Sequence, residues 1–554
     1  MTADWKLRST PEGLRQRFLA DGWWTEQTLG QRLEQQLEAG RDLAFVFHSQ
    51  TRPWRGTFGQ VLDLARRVAG GLTRMGVRAG DVVSFQTPNW LEGAATFYGA
   101  ALIGAVVVPI VHIYGSRELG YILRECQPRV HVTASRFGRQ DFLANLESPD
   151  DIPGLQVVVI GDDVPDGFSS FDQLAAADPL TAASPDDASA PALVGWTSGT
   201  TSNPKGVIHS HQTVYAEVRQ LGATSPPGDR SMLVANPISH AIGMLSALLV
   251  PVDQGRPVHL LDQWDPEVVL QLMLQEDLTS GGGATYFVTS LLDHPSFGAE
   301  HLEHIRFQGM GGAPVPRAVT ERLTALGVNV YRMYGSTEHP SITGCTYLDP
   351  LEKRLGTDGR PLPGAEIRLV DPNGADVGIG DPGQILSRGP ECFLGYTDRE
   401  LTERVFDVDG WYLTGDIGTV DEEGYLTITD RISDVIIRGG ENISAAEVEE
   451  VLLGVPGIAE VAVVAAPDPR MGEHGAAVIR MSPGTEVPDI STLRVALEQA
   501  GLARQKWPEE VLGIDDFPRT PSGKIQKFVL RDRLRNSTPA SDPDKPAQKG
   551  PGKC

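Results

Sequence analysis

The chain has 554 residues, with 48 lysines and arginines against 72 aspartates and glutamates and a formal net charge of −24. That length exceeds what one hydrophobic core supports and calls for two or more domains, while so negative a surface repels phosphate backbones and argues against nucleic acid as a partner. Cys126, Cys345, Cys392 and Cys554 stand far apart with no CxxC pair, which gives no sign of a zinc site or disulfide framework and fits a reducing, cytoplasmic setting.

The first residues, MTADWKLRSTPEG, carry charges where a secretory signal needs an apolar run. Gly59 to Met75 places Val61, Leu64, Val68, Leu72 and Met75 at helical spacing, and a Gly-Asp turn then leads to the apolar run Val82, Val83 and Phe85. Gly93 to Val111 is uncharged and long enough to span a bilayer, but Gly99, Gly104 and Pro109 interrupt it, so it reads as a buried helix running into a strand. The helix-then-strand pattern recurs at Leu119 to Cys126 before Val130 to Thr133, and at Pro266 to Glu276 before an uncharged, Gly-rich segment. Between these, Ser231 to Val252 carries Asn236, Pro237, Ser239 and His240 at its middle and reads as a core loop flanked by apolar elements, not a span. Strands alternating with helices in this way predict α/β domains with parallel sheets covered on both faces.

After residue 360 the texture changes. The alternating segments Glu366 to Val370 and Gln384 to Arg388, separated by the turn residues Asp371 to Gly374, predict a small antiparallel β unit, and Asp421 to Gly424 predicts a further hairpin. Asp430 to Asn442 then introduces an amphipathic helix at Ala445 to Leu453. The domain boundary is expected near Ser433, giving an N-terminal domain over 1–432 and a C-terminal domain over 433–535. The tail from Asn536 to Cys554 is rich in Pro, Lys, Ser and Asp, has almost nothing apolar to bury, and is expected to be disordered.

The segment TSGTTSNPKGV, Thr197 to Val207, packs hydroxyls, two glycines and a lysine behind the apolar run Leu193 to Trp196. Such a loop can wrap a polyphosphate: Gly199 and Gly206 allow close backbone approach, Thr197, Ser198, Thr200 and Thr201 offer neutral donors, and Lys205 brings positive charge. A Walker loop is disfavoured, because the order here is Pro204, Lys205, Gly206.

This segment resembles the signature of the adenylate-forming superfamily, which includes acyl-CoA synthetases, peptide-synthetase adenylation domains and firefly-type luciferases. Further motifs of that superfamily follow in order: PISHAIG (Pro237 to Gly243), GMGGAPVP (Gly309 to Pro316), YGSTE (Tyr334 to Glu338), GWYLTGD (Gly410 to Asp416), DRISDVIIRGGENIS (Asp430 to Ser444) and RTPSGKIQK (Arg519 to Lys527). The resemblance covers about residues 40 to 535. It implies a large N-terminal domain of two doubly wound α/β subdomains plus a small β-barrel, followed by a small, mobile α+β C-terminal domain.

By the same resemblance, ATP, Mg²⁺ and coenzyme A are the expected ligands. Asp416 and Arg431 would hold the ribose; Tyr334, with Gly335 and Ser336, would face the adenine, and Thr337 the α-phosphate. Glu338 would ligate Mg²⁺ together with Thr200. Gly311, Gly312, Ala313 and Pro314 would pass the backbone beneath the base, where only small residues fit. Lys524 would bridge the carboxylate and the α-phosphate during adenylation, and His240 would sit between the acyl pocket and the thiol path. Gly439, Gly440 and Glu441 would line the pantetheine tunnel. Ser433 stands at a hinge position where Asp or Lys is common, and Ser202 where Gly is common.

The implied reaction has two steps: a carboxylate attacks the α-phosphorus of MgATP, and a CoA thiolate then displaces AMP. The wall segments Ala241 to Met244, Gly282 to Phe287, Gly309 to Ala313 and Ser336 to Ser341 are mostly small or apolar and suggest a hydrophobic acid, fatty or alicyclic rather than an amino acid. Loading of an acyl or aminoacyl group onto a free-standing carrier protein is the alternative; a luciferase-like oxygenase and a non-catalytic nucleotide-binding protein are more distant ones. A monomer or homodimer is expected.

Overall fold

The computed structural model describes residues 5, 7–146, 152–197, 204–280, 283, 285–312, 315, 317–439, 441–520 and 524–537. They form two compact units. The larger comprises residues up to Thr429 together with Arg519–Lys524; the smaller comprises Asp430–Pro518 and the chain from Ile525 onward.

The large unit is built on two parallel-rich sheets. In the eight-stranded sheet the central strands Val82–Gln86, Val106–Pro109, Val130–Ala134 and Gln156–Ile160 run parallel, and all but Gln156 are buried. They read as unbroken apolar runs because helices cover both faces. The helix Phe58–Arg74, capped by Thr57 through a reciprocal capping box with Gln60, packs against the helix Leu91–Ile103, which is buried from Gly93 to its end. Gly99 lets them approach: a Cβ there would lie 3.0 Å from the Ala65 carbonyl oxygen. Gly93 to Val111 is thus a buried helix followed by a buried strand, as the sequence predicts. Among the described residues no helix is long and apolar enough to cross a membrane.

The second, five-stranded sheet joins Ala44–His48 and Trp54–Thr57 to the parallel strands Val258–Leu261, Met232–Val234 and Thr279–Ser280. Ser231 to Val252 carries a loop at its middle between apolar elements, as the sequence predicts. After the strand Met232–Val234, the chain turns through Asn236 to His240 and becomes helical: a short turn at Ala241–Gly243, a π-helix over Met244–Leu249, and a last turn at Val250–Asp253. Leu249, at φ −114° and ψ −66°, interrupts the helical geometry, so Pro251 stands at the start of a new turn, where a proline forfeits no intrahelical donor.

Strands Phe307–Gly311 and Asn329–Tyr334 pair in parallel in a third sheet. The antiparallel unit expected after residue 360 is a four-stranded sheet of Glu366–Val370, Gly383–Arg388, Tyr412–Val420 and Leu426–Arg431.

In the small unit, Ile458–Asp468 and Gly472–Met481 form a long antiparallel pair, with the helix Ala445–Leu453 packed against it. The hairpin Ile436–Arg438 with Glu441–Ile443 lies at one edge of this sheet. The final helix runs Lys527–Ser537, so Asn536 and Ser537 belong to a helix and not to the tail, whose remaining residues lie outside those described.

Candidate active site

Residues of the large unit from five distant stretches of sequence meet near the end of the strand Asn329–Tyr334. That strand leads into the YGSTE turn, where Gly335 has no room for a side chain: a Cβ would lie 1.7 Å from the Pro340 carbonyl oxygen. The turn is closed by Ser336 N–H donating to the His339 carbonyl at 2.9 Å. His209 Nε2 donates to the Thr337 carbonyl at 2.8 Å, and Phe393 N–H donates to the Glu338 carbonyl at 2.9 Å. Both peptide groups are therefore fixed from opposite sides in sequence.

Asp416 enters from the strand Tyr412–Val420, directly after Gly415, whose φ of +79° only glycine adopts freely. Asp416 is 3% exposed and accepts a 2.6 Å hydrogen bond on Oδ2 from the Tyr334 hydroxyl. Glu338, 8% exposed, accepts at 2.8 Å on Oε1 from the Tyr396 hydroxyl, and the Lys205 ammonium stands 5.5 Å over the Tyr396 ring. Burial, reinforced by the Glu338 charge, holds Tyr396 protonated far above the ordinary phenol range. Tyr396 is thus a fixed donor that links the lysine of the phosphate loop to Glu338.

The loop itself is anchored at both ends. Thr197 closes the strand Pro191–Thr197, Lys205 opens the strand Lys205–Ser210, and the two pair directly in antiparallel register. Ser198, Gly199, Thr200, Thr201 and Ser202 lie outside the described residues, as do Ala313, Pro314 and Gly440. Gly311 ends its strand where a Cβ would come within 2.5 Å of the Met333 carbonyl oxygen, and Gly312, at φ +76°, faces Ile242.

His240 caps the turn Ala241–Gly243, its Nδ1 accepting from Ile242 N–H at 3.4 Å. Desolvation, with the positive charge of Lys524 adding to it, lowers its pKa to about 4, so the imidazole is neutral near pH 7. Lys524 belongs to the large unit through the stretch Arg519–Lys524, a tight loop in which Lys524 N–H donates to Thr520 Oγ1 and Thr520 N–H to the Lys524 carbonyl. Arg431, Gly439 and Glu441 belong to the small unit. There Gly439 turns the hairpin at φ +60° and donates its N–H to the Met471 carbonyl at 2.7 Å.

A cavity, partly continuous with solvent, opens beside Thr337. Its lining includes Gly195, Ala241, Met244, Leu245 and Pro340, together with the polar residues His209, Glu217, Ser239 and Thr337. Of the wall segments expected from sequence, Ala241 to Met244 and Ser336 to Ser341 contribute to it. His209, Glu217 and Tyr396 were not expected. Glu217 could have been found by spacing, since Val214, Glu217, Val218 and Leu221 fall on one helical stripe and place a carboxyl on an apolar face.

The residues fit a nucleotide. The Asp416 carboxylate, oriented by the Tyr334 hydroxyl, is of the kind that accepts sugar hydroxyls, and Tyr334 supplies an aromatic ring beside it. A divalent ion also fits Glu338, a hard oxygen donor. Among the described residues no group of three or more His, Cys, Asp or Glu could hold a metal alone, so phosphate oxygens and water would complete its shell, which suits Mg²⁺.

A mainly parallel α/β unit that sets the buried carboxylates Asp416 and Glu338 on tyrosine hydroxyls, with a largely apolar cavity beside Thr337, suits an adenylate-forming enzyme. The chain belongs to the AMP-binding enzyme family: its family model matches residues 33–397, and the AMP-binding enzyme C-terminal domain matches residues 447–524. It is 33% identical to the medium-chain fatty-acid–CoA ligase of Escherichia coli (strain K12), over 95% of this chain and 94% of that protein. It is 36% identical to the 3-[(3aS,4S,7aS)-7a-methyl-1,5-dioxo-octahydro-1H-inden-4-yl]propanoyl:CoA ligase of Rhodococcus jostii (strain RHA1), over 87% of this chain and 94% of that one. Among solved structures, ATP-bound MatB from Rhodopseudomonas palustris superposes with a TM-score of 0.81 at 29% identity, covering 92% of this chain and 99% of MatB.

Proposed function

We propose that this enzyme is an AMP-forming acid–CoA ligase for hydrophobic carboxylic acids, fatty or alicyclic, acting in the cytoplasm. The observation that carries the reading is that one turn, Tyr334 to Glu338, holds Asp416 through the Tyr334 hydroxyl and accepts from Tyr396 on Glu338, while its Thr337 lines a largely apolar cavity. The relatives support the acid class, since one is described as a medium-chain fatty-acid ligase and another as a ligase of a bicyclic propanoic acid.

In this reading Asp416, held by Tyr334, accepts the ribose hydroxyls, and Arg431 adds a second contact. Gly311, Gly312, Ala313 and Pro314 pass the backbone beneath the base, and Gly335 and Ser336 continue the turn from Tyr334. Thr197, Ser198, Gly199, Thr200, Thr201 and Lys205 surround the β- and γ-phosphates, and Thr337 donates to the α-phosphate. Glu338 and Thr200 would hold a divalent ion, which would supply charge neutralisation as pyrophosphate departs. Lys524 lies between the attacking carboxylate and the α-phosphate, stabilising the negative charge that develops on both. His240, neutral and therefore no competitor for the carboxylate's charge, forms the wall between acid and thiol. Gly439, Gly440 and Glu441 border the path of the CoA thiolate, which attacks the acyl carbon of the adenylate and expels AMP. The C-terminal domain expected over 433–535 carries these last groups as a mobile lid.

The experiment is a panel of fatty, alicyclic and aromatic acids, each assayed for pyrophosphate release and for thioester formation with CoA or with a phosphopantetheinylated carrier protein. Acid-dependent pyrophosphate release followed by acyl-CoA formation is expected. Release with transfer only to the carrier would replace CoA as the acceptor, and no release with any acid would overturn the reading.

A further inference from the structure

The cavity beside Thr337 is not uniformly apolar. Helix His211–Ala223 sends Glu217 into its wall, 2% exposed, where Oε1 accepts a 2.6 Å hydrogen bond from the Ser341 hydroxyl. Its other oxygen, Oε2, has no hydrogen-bond partner among the described residues. Ser239, 3% exposed and lining the same cavity, likewise has an unpartnered buried Oγ. Two unmatched polar atoms in one small apolar space each carry a desolvation cost that hydrocarbon cannot relieve.

We propose that Glu217 and Ser239 form a polar corner of the acyl pocket that selects acids carrying a second, uncharged oxygen function, a ketone or a hydroxyl, away from the reacting carboxylate. This rests on the ligase reading above and narrows its substrate class. The charge state decides which oxygen function fits. Burial, reinforced by the nearby Glu391 carboxyl and opposed by the Ser341 hydrogen bond, raises Glu217 to a pKa of about 8. The other titratable groups close by are His209 in the cavity wall, lowered by burial to about 4 and so neutral, and His339, which pairs with Glu391 at 2.7 Å. At neutral pH Glu217 is therefore protonated, and with Oε1 already accepting from Ser341 its proton is available on Oε2. A ketone oxygen accepts from Glu217 and Ser239 together; a hydroxyl accepts from one and donates to the other. An unsubstituted tail leaves both unmatched, and an ammonium would require the ionised acid that this environment disfavours.

The test compares kcat/KM for matched acids: cyclohexanecarboxylate with its ring ketone and ring alcohol, and octanoate with its keto and terminal-amino analogues. Wild-type enzyme should favour the oxygenated members about tenfold or more. Glu217→Leu should remove that preference, whereas Glu217→Gln, which keeps a donor, should retain it. The keto-to-unsubstituted ratio should fall in wild type as pH rises through about 8, because ionised Glu217 cannot donate, and it should stay flat in Glu217→Gln. A wild-type ratio near one, a preference for the amino acid analogue, or equal loss on every acid in Glu217→Leu would each overturn the proposal while leaving the ligase reading intact. Failure of wild type to release pyrophosphate with any of these acids would instead remove the ligase reading and this one with it.

Discussion

Replacing Tyr334 with phenylalanine tests the nucleotide site with one atom. The ring and its packing against Ile342 and Leu426 persist, but the 2.6 Å hydrogen bond to Asp416 Oδ2 is lost. With both residues under 10% exposed, a hydrogen bond to a charged group is worth about 1.5–3 kcal/mol, or roughly ten- to a hundredfold at about 1.4 kcal/mol per decade. If Asp416 holds the ribose, that loss falls on ATP. Pyrophosphate release measured at saturating acid with ATP varied should show kcat/KM for ATP reduced by at least about tenfold, chiefly through KM, and equilibrium binding of a non-hydrolysable ATP analogue should weaken in parallel. Asp416→Asn, which replaces an acceptor with a donor, should cost more. A folded Tyr334→Phe enzyme within twofold of wild type for ATP would refute the assignment of this pair to the nucleotide.

Lys524→Ala should slow adenylate formation a hundredfold or more, about 3 kcal/mol, yet still convert supplied acyl-AMP to thioester; equal loss of both half-reactions would contradict its assigned role. His339 and Glu391 are each 0% exposed and lie 2.7 Å apart, so His339→Leu should lower stability by about 3–5 kcal/mol by stranding a buried carboxyl, read as a shifted urea midpoint. Burial holds His131 at a pKa of about 3 and His209 and His211 at about 4. Below the unfolded value, about 6.5, the unfolded chain takes up protons that the native state refuses. Stability should therefore drop as pH falls from 6.5 toward 4, each histidine adding up to about 1.4 kcal/mol per pH unit; a flat urea midpoint between pH 7 and 5 would contradict this.

The elements that were legible in the sequence are those where one physical signal dominated. Val82–Gln86 and Val106–Pro109 are apolar end to end because both faces are covered, and the helix Ala445–Leu453 carries its stripe behind a Ser444 cap. Tyr334, Glu338, Lys205 and Asp416 were legible because their motifs keep residue types that few other sites combine. The π-helix Met244–Leu249 was not, since an apolar run has no mark that separates one helical hydrogen-bond pattern from another. Tyr396 was missed because its role appears only when strand Gly395–Tyr396 pairs with Val207 and Ile208. Glu217 was missed because a carboxyl among valines reads as a break in a helix face until the fold closes over it.

The segment ahead of residue 33, where the family match begins, is tied into the machinery it precedes. Arg8 donates twice to the Phe393 carbonyl and Trp24 to that of Pro390, in the stretch whose Phe393 N–H holds Glu338. Phe18 and Trp24 pack on Ala216, one residue before Glu217, and Gln212 of the same helix donates to the Thr25 carbonyl. Trimming an expression clone to begin at residue 33 would therefore loosen the Glu338 turn and the helix that carries Glu217 together. The start of the family model is, in this enzyme, a poor guide to where the chain can be cut.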